Sequence, residues 1–362
     1  MTLNKPQKPI HYARQDIDES DISAVCDVLR SDFLTQGPSI TKFETIIAKF
    51  VNCEFGVTTT NATSALHIAC KALGLGSGDV LWTSPNSFVA SANCALYCGA
   101  TVDFIDIDPN TYNISIEQLE NKLVLAERSG TLPKIVMPVH FAGQPCQMIE
   151  IRELSIKYGF KIIEDASHAI GAQYNGSQVG SCEYCDITIF SFHPVKIIAT
   201  GEGGMALTND EHLANKLRRY RSHGITSLTS EMVDRPSDER WNYQQIDLGF
   251  NYRMTDIQAA LGISQMKRID KFLANRREIA SIYDAMLTSL PLIIPFQASK
   301  TLSSYHLYPI LLDGNRTDIK QSQLYKELHD WNIYVNIHYI PIYRQPYYEK
   351  LGFNSGYCPN AE

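Results

Sequence analysis

FGVTTTNATSALHIACKALGLGSGDVLWT, residues 55–83, decides the fold. A short β-branched run, Phe55 to Thr59, is followed by apolar residues at helical spacing from Thr63 to Leu73. A Gly-rich turn then leads into a second β-branched run, Val80 to Thr83. Period 2 giving way to period 3.6 and back again predicts strand, helix, strand, the unit of a parallel sheet. The unit recurs to about residue 208. Further strands are expected at Thr101 to Ile107, Ile135 to His140, Lys161 to Glu164, Ile187 to Ser191 and Gly204 to Thr208. The helices between them are expected at Ser87 to Tyr97, Ile116 to Glu127 and Met148 to Tyr158. Such runs predict an α/β protein with a mostly parallel central sheet covered on both faces. Beyond it, Asp256 to about Ser289 reads as one long helix capped by Thr255 or Asp256. A smaller α+β unit follows, with a strand at Ser304 to Leu312, a helix at Asp318 to Trp331 and a strand at Ile333 to Tyr339. The expected organisation is thus a large domain (14–255), a linking helix (256–289) and a small domain (290–362), with a mobile loop at Ser227 to Asn242.

The 362 residues, 44% hydrophobic and 20% charged, can bury a large core. A net charge of -7 offers no basic footprint for nucleic acid. Met1 to Ile10 is polar and no later stretch is long and apolar enough to cross a bilayer, so a cytoplasmic protein with no membrane partner is expected. Nine cysteines without a secretion signal favour reduced thiols. Cys182 and Cys185 form one CxxC, better explained as a turn than as half of a metal site, and Cys94 and Cys98 as packing; no metal is expected.

Ligands of open α/β sheets bind beyond the carboxyl ends of the strands. Three positions there carry chemistry. Thr60 to Ser64 would open a helix with free N–H groups and hydroxyls suited to a phosphate, although a simple N-cap explains the same residues. Glu164 and Asp165 end a very apolar strand. Their side chains must point to opposite faces, so only one can serve a shared site, where it could accept a hydrogen bond from a heteroaromatic N–H, or it could simply cap a helix. Lys196 follows the strand Ile187 to Ser191 and precedes Gly201, Gly203 and Gly204. A lysine there could condense with an aldehyde, though an isolated lysine is usually solvated. A cradle, a carboxylate and a lysine are together the parts that pyridoxal 5'-phosphate (PLP) needs.

The chain resembles the DegT/DnrJ/EryC1/StrS family of sugar aminotransferases, which has the type I (aspartate aminotransferase-like) PLP fold. The resemblance rests on residues 31–38, 61–67, 138–145, 164–168, 249–256 and the run Ser191-Phe192-His193-Pro194-Val195-Lys196. It implies that Lys196 is the Schiff-base lysine, Asp165 the partner of the pyridine nitrogen and His168 a neighbour of the cofactor's phenolic oxygen. Ala62, Thr63 and Ser191 would contact the phosphate, and Phe88 would cover the ring face unless it is an ordinary core residue. Asn251 would reach the phosphate of a second subunit in a homodimer. Thr35, His338 and Tyr339 become candidates for substrate binding. The implied reaction moves an amino group from an amino acid, glutamate by resemblance, through the pyridoxamine 5'-phosphate (PMP) form to a nucleotide-linked keto sugar. The runs at 33–38 and 191–196 look most like the branch acting on UDP-linked 4-keto-6-deoxy sugars in pseudaminic acid biosynthesis.

Two departures from the family pattern stand out. Ala62 occupies a position usually held by Gly, and the sequence stops at Glu362 where relatives continue. The rival readings are a pyridoxamine-dependent sugar dehydratase, in which His replaces the lysine, and a non-catalytic regulator that would lose Lys196 or Asp165. Lys196 and Asp165 are both present.

Overall fold

A computed structural model describes residues 4–233, 239 and 241–362. Its centre is a seven-stranded sheet of β1 (Phe55–Thr59), β2 (Val80–Thr83), β3 (Thr101–Phe104), β4 (Ile135–Met137), β5 (Lys161–Asp165), β6 (Ile187–Ser191) and β7 (Gly204–Thr208), in the order β1-β7-β6-β5-β4-β2-β3. All run parallel except β7, which is antiparallel to both neighbours. The apolar runs of β6 and β7 are buried along their whole length, as strands covered on both faces must be.

Of the helices that flank the sheet, the four between residues 62 and 158 were expected from the 3.6-residue pattern, and those at 19–29, 38–51 and 211–221 were not. The helices are α1 (Glu19–Leu29), α2 (Pro38–Val51), α3 (Ala62–Ala72), α4 (Ala90–Tyr97), α5 (Ile116–Ser129), α6 (Met148–Tyr158) and α7 (Glu211–Arg221). Helices α3, α4 and α7 pack on one face through Leu66, Ile68, Ala95 and Leu217, against Ile163, Ile187 and Ile189 of the sheet. Phe43 and Ile47 of α2 pack on the other face, against Phe190, Met205 and Leu207. The alternation of Ile189 and Phe190 between these two clusters is the period-2 pattern made physical.

The expected single helix at 256–289 is two helices, α8 (Asp256–Met266) and α9 (Ile269–Leu287). Thr255 caps α8 in a capping box with Gln258. The break falls at Arg268, at φ -113° and ψ 5°. There its guanidinium reaches Asp16 (2.7 Å), Asp18 (3.1 Å) and Asp21 (2.5 Å). The smaller unit holds less strand than expected. Of Ser304 to Leu312 only Leu311–Leu312 pairs, with Leu292–Ile293; of Ile333 to Tyr339 only Ile333–Tyr334 pairs, in parallel with Ile10–His11. Its helix is α10 (Gln321–Asp330). Ile342, Tyr343, Tyr348 and Cys358 return to the sheet and share a buried cluster with α3 and α4. In the expected mobile loop, Thr229–Glu231 form a 3-10 turn, while residues 234–238 and 240 lie outside the described residues. Among the described residues no helix is long and apolar enough to cross a membrane.

Candidate active site

Strand β5 separates its last two carboxylates onto opposite faces. Glu164 turns to His140 Nε2 (3.0 Å) and accepts from the Thr188 hydroxyl (3.4 Å). Asp165 turns to the α3/α4 side and is only 4% exposed. Its Oδ2 accepts from Ser91 Oγ (2.6 Å), which lies 2.7 Å from Ser87 Oγ; its Oδ1 accepts from Ser167 Oγ (2.6 Å) and Ser167 N–H (3.1 Å). Three donors from two elements fix the carboxylate in place.

Lys196 lies in the turn after β6, its N–H donating to His193 O (2.8 Å). Burial pulls its ammonium pKa down to about 8, against the opposing pull of the Asp165 charge. Beside it, His168 Nδ1 accepts from Ala142 N–H (3.3 Å), so the ring proton sits on Nε2 and is directed at Tyr339 Oη, 3.3 Å away. Burial, reinforced by Lys196 and His338, holds His168 well below the usual histidine range, so the ring is neutral. His306 packs on it at a centroid distance of 4.4 Å, and His306 Nδ1 is buried with no partner among the described residues. His338 lies edge-on to Tyr339, with ring centroids 4.7 Å apart.

The cradle forms at the start of α3. Asn61 Oδ1 caps the helix, accepting from Ser64 N–H (2.8 Å) and Ser64 Oγ (3.0 Å). This leaves the N–H groups of Ala62 and Thr63 without an acceptor among the described residues. Both the cap and the open amides of the sequence reading are therefore present. Ala62 is the first residue of the helix, so its methyl group is accommodated in place of the usual Gly. Gly204 passes so close that a Cβ there would lie 2.5 Å from Ala62 N. Gly204 pairs with Thr59 on one side and Ser191 on the other, which brings the 8%-exposed Ser191 into the same row.

Phe88 is 61% exposed beside Ser87, so it is not a core residue. Asn251 is exposed and neighbours the cradle through Tyr252, whose carbonyl accepts from Thr60 N–H (2.8 Å). Thr35 is exposed and bridges Thr255, outside the cluster around His168 and Tyr339. Sequence reasoning missed Ser87, Ser91, Ser167 and His306. The i, i+4 spacing of Ser87 and Ser91 near a helix start was the available signal; His306, distant in sequence, gave none.

An open amide pair for a phosphate, a lysine of lowered pKa, a fixed carboxylate and an exposed aromatic ring all suit PLP. The family model for DegT/DnrJ/EryC1/StrS aminotransferases matches residues 15–362. The chain belongs to that family. A UDP-4-amino-4,6-dideoxy-N-acetyl-beta-L-altrosamine transaminase of Campylobacter jejuni (serotype O:23/36, strain 81-176) is 40% identical over 343 residues, covering 94% of this chain and 86% of that protein. The spore coat polysaccharide biosynthesis protein SpsC of Bacillus subtilis is 37% identical over 97% of this chain and 88% of its own length. Among solved structures, Helicobacter pylori PseC, an aminotransferase involved in the biosynthesis of pseudoaminic acid, superposes with a TM-score of 0.87 at 31% identity, covering 98% of this chain and 91% of that one. Spr1654 of Streptococcus pneumoniae, solved in PLP and PMP forms, gives TM-scores of 0.86 and 0.87 at 27% and 26% identity. This DegT/DnrJ/EryC1/StrS member is an aminotransferase that uses PLP and has the type I fold.

Proposed function

We propose that this enzyme transfers an amino group from glutamate to a UDP-linked 4-keto-6-deoxy sugar, in pseudaminic acid or related surface-sugar biosynthesis, as a homodimer. The observation that carries the reading is that the Asp165 charge acts on the buried Lys196 amine, with the amides of Ala62 and Thr63 open at the start of α3. The names of the Campylobacter and Helicobacter relatives support the sugar class. In this proposal the Ala62 and Thr63 amides and Ser191 hold the cofactor's phosphate, Phe88 covers its ring and Asn251 contributes to the partner subunit's phosphate site. When bound, PLP supplies a conjugated ring that takes up the electron pair released at the donor's α-carbon.

Lys196 is the residue that would hold the cofactor covalently. Its Nζ, whose pKa burial lowers, would take the proton from the donor's α-carbon in the first half-reaction and return one to the acceptor's carbon in the second. Asp165, fixed by Ser91 and Ser167, would accept the hydrogen bond of the ring N–H and so keep the ring electron-poor. His168 offers its Nε2 proton as a donor that no carboxylate competes for. His338 and Tyr339 wall the acceptor's side. The test is incubation with glutamate and a panel of nucleotide-linked keto sugars, with products identified by mass and NMR. A 4-amino-6-deoxy UDP-sugar is expected; no amination of any keto sugar would contradict the reading.

A further inference from the structure

Residues 1–15 hold Lys5, Lys8, His11 and Arg14 and no Asp or Glu, in a chain whose net charge is -7. The fold does not leave this segment loose. Asn332 Nδ2 donates to Pro6 O (2.9 Å), Ile10 N–H donates to Asn332 O (2.8 Å), and Ile10–His11 pair with Ile333–Tyr334. A few residues later, Asp16, Asp18 and Asp21 are all taken by Arg268. The stretch between these anchors is therefore drawn across from the smaller unit to α8.

Tyr12 stands in that stretch. Its ring lies 5.6 Å from the His338 ring at 57°, the His338 ring lies 4.7 Å from that of Tyr339, and Tyr339 Oη lies 3.3 Å from His168 Nε2, beside Asp165. Tyr12 is 45% exposed, and Lys5, Lys8 and Arg14 are exposed too. A half-open aromatic ring, with Lys8 and Arg14 close by in sequence and the nearby acids already paired, therefore lies against His338, which also feels the Lys196 charge. The substrate part that matches it is a flat ring joined to a diphosphate.

We propose that the N-terminal segment, residues 5–14, is the arm that receives the nucleoside diphosphate of the sugar substrate, with Tyr12 packing against the base or ribose beside His338, and Lys8 and Arg14 facing the diphosphate. This deepens the reading above and rests on its nucleotide-linked substrate. The arm is a binding and specificity element and takes no part in proton transfer.

The test is titration of the PLP-loaded enzyme with UDP alone, followed calorimetrically at two salt concentrations. Tyr12→Ala is expected to weaken UDP binding about tenfold and Tyr12→Phe, which keeps the ring, to stay within about twofold of wild type. The exposed pair Lys8→Gln/Arg14→Gln, which does not threaten folding, is expected to weaken binding and to flatten its salt dependence. UDP affinity and salt dependence unmoved by all these substitutions, or no UDP binding by the wild type, would overturn the arm. Bleaching of the wild-type cofactor absorbance by glutamate reports separately on the aminotransferase reading, so the two failures are distinguishable.

Discussion

Asp165 is surrounded by donors, with Ser91 and Ser167 supplying hydroxyls at 2.6 Å each. Asp165→Asn keeps the shape and removes the charge. The expected outcome is a protein that still binds PLP and stays yellow while kcat falls at least about a hundredfold, the scale of losing one preorganised electrostatic contact. Full activity would remove Asp165 from its assigned role. Lys196 makes a second prediction. Its amine is charged below about pH 8 and neutral above, so the rate at which cofactor-free protein captures PLP should rise with pH and level off past that point, as stopped-flow absorbance would record. Lys196 and the Glu164–Asp165 pair drew attention in the sequence because they lie at or just beyond strand ends, where ligands of open sheets bind, whereas His168 rested on the family resemblance. Ser91 and His306 were not legible, because helix α4 and a segment near residue 306 meet β5 only in three dimensions.

Elements end where tertiary contacts overrule local pattern. The apolar spacing from 256 to 289 is continuous, yet the helix breaks at Arg268 because three carboxylates near the start of α1 claim its guanidinium. Asp21 is fully buried there. Removing the arginine would strand that charge, so Arg268→Ala should cost about 3–5 kcal/mol, read as a lowered urea midpoint; a change under about 1 kcal/mol would show the cluster to be structurally idle. The start of α8 was legible to within one residue, Thr255 or Asp256, because a cap is local; the box between Thr255 and Gln258 came from the structure. The strands around 304–312 and 333–339 were over-read for the opposite reason. Alternation says which side chains share a face, but the length of a ladder depends on its partner, and Ile10–His11 gives Ile333–Tyr334 only two residues. The central strands were predicted well because burial on both faces demands the unbroken apolar runs that β6 and β7 carry.

Across the whole molecule, the cluster around Asp165 and His168 joins segments from every third of the chain, and its neutral histidines tie stability to pH. Burial holds His168 and His306 well below the usual histidine range, with Lys196 and His338 near both and Arg276 near His306 adding to the effect. Both rings take up protons more readily unfolded than folded, so their contribution is full above the unfolded pKa of about 6.5 and falls as pH drops below it. Urea midpoints of the cofactor-free protein should therefore fall between pH 7.5 and 5.5, and His306→Phe should make that fall shallower; a midpoint flat over this range would contradict the neutral pair. The central claim is that one lysine, beyond β6 and beside Asp165, carries the cofactor. Borohydride reduction of the PLP-loaded enzyme, followed by peptide mass spectrometry, tests it directly. The expected result is a single pyridoxyl-phosphate adduct on Lys196; an adduct on another lysine, or none, would contradict it.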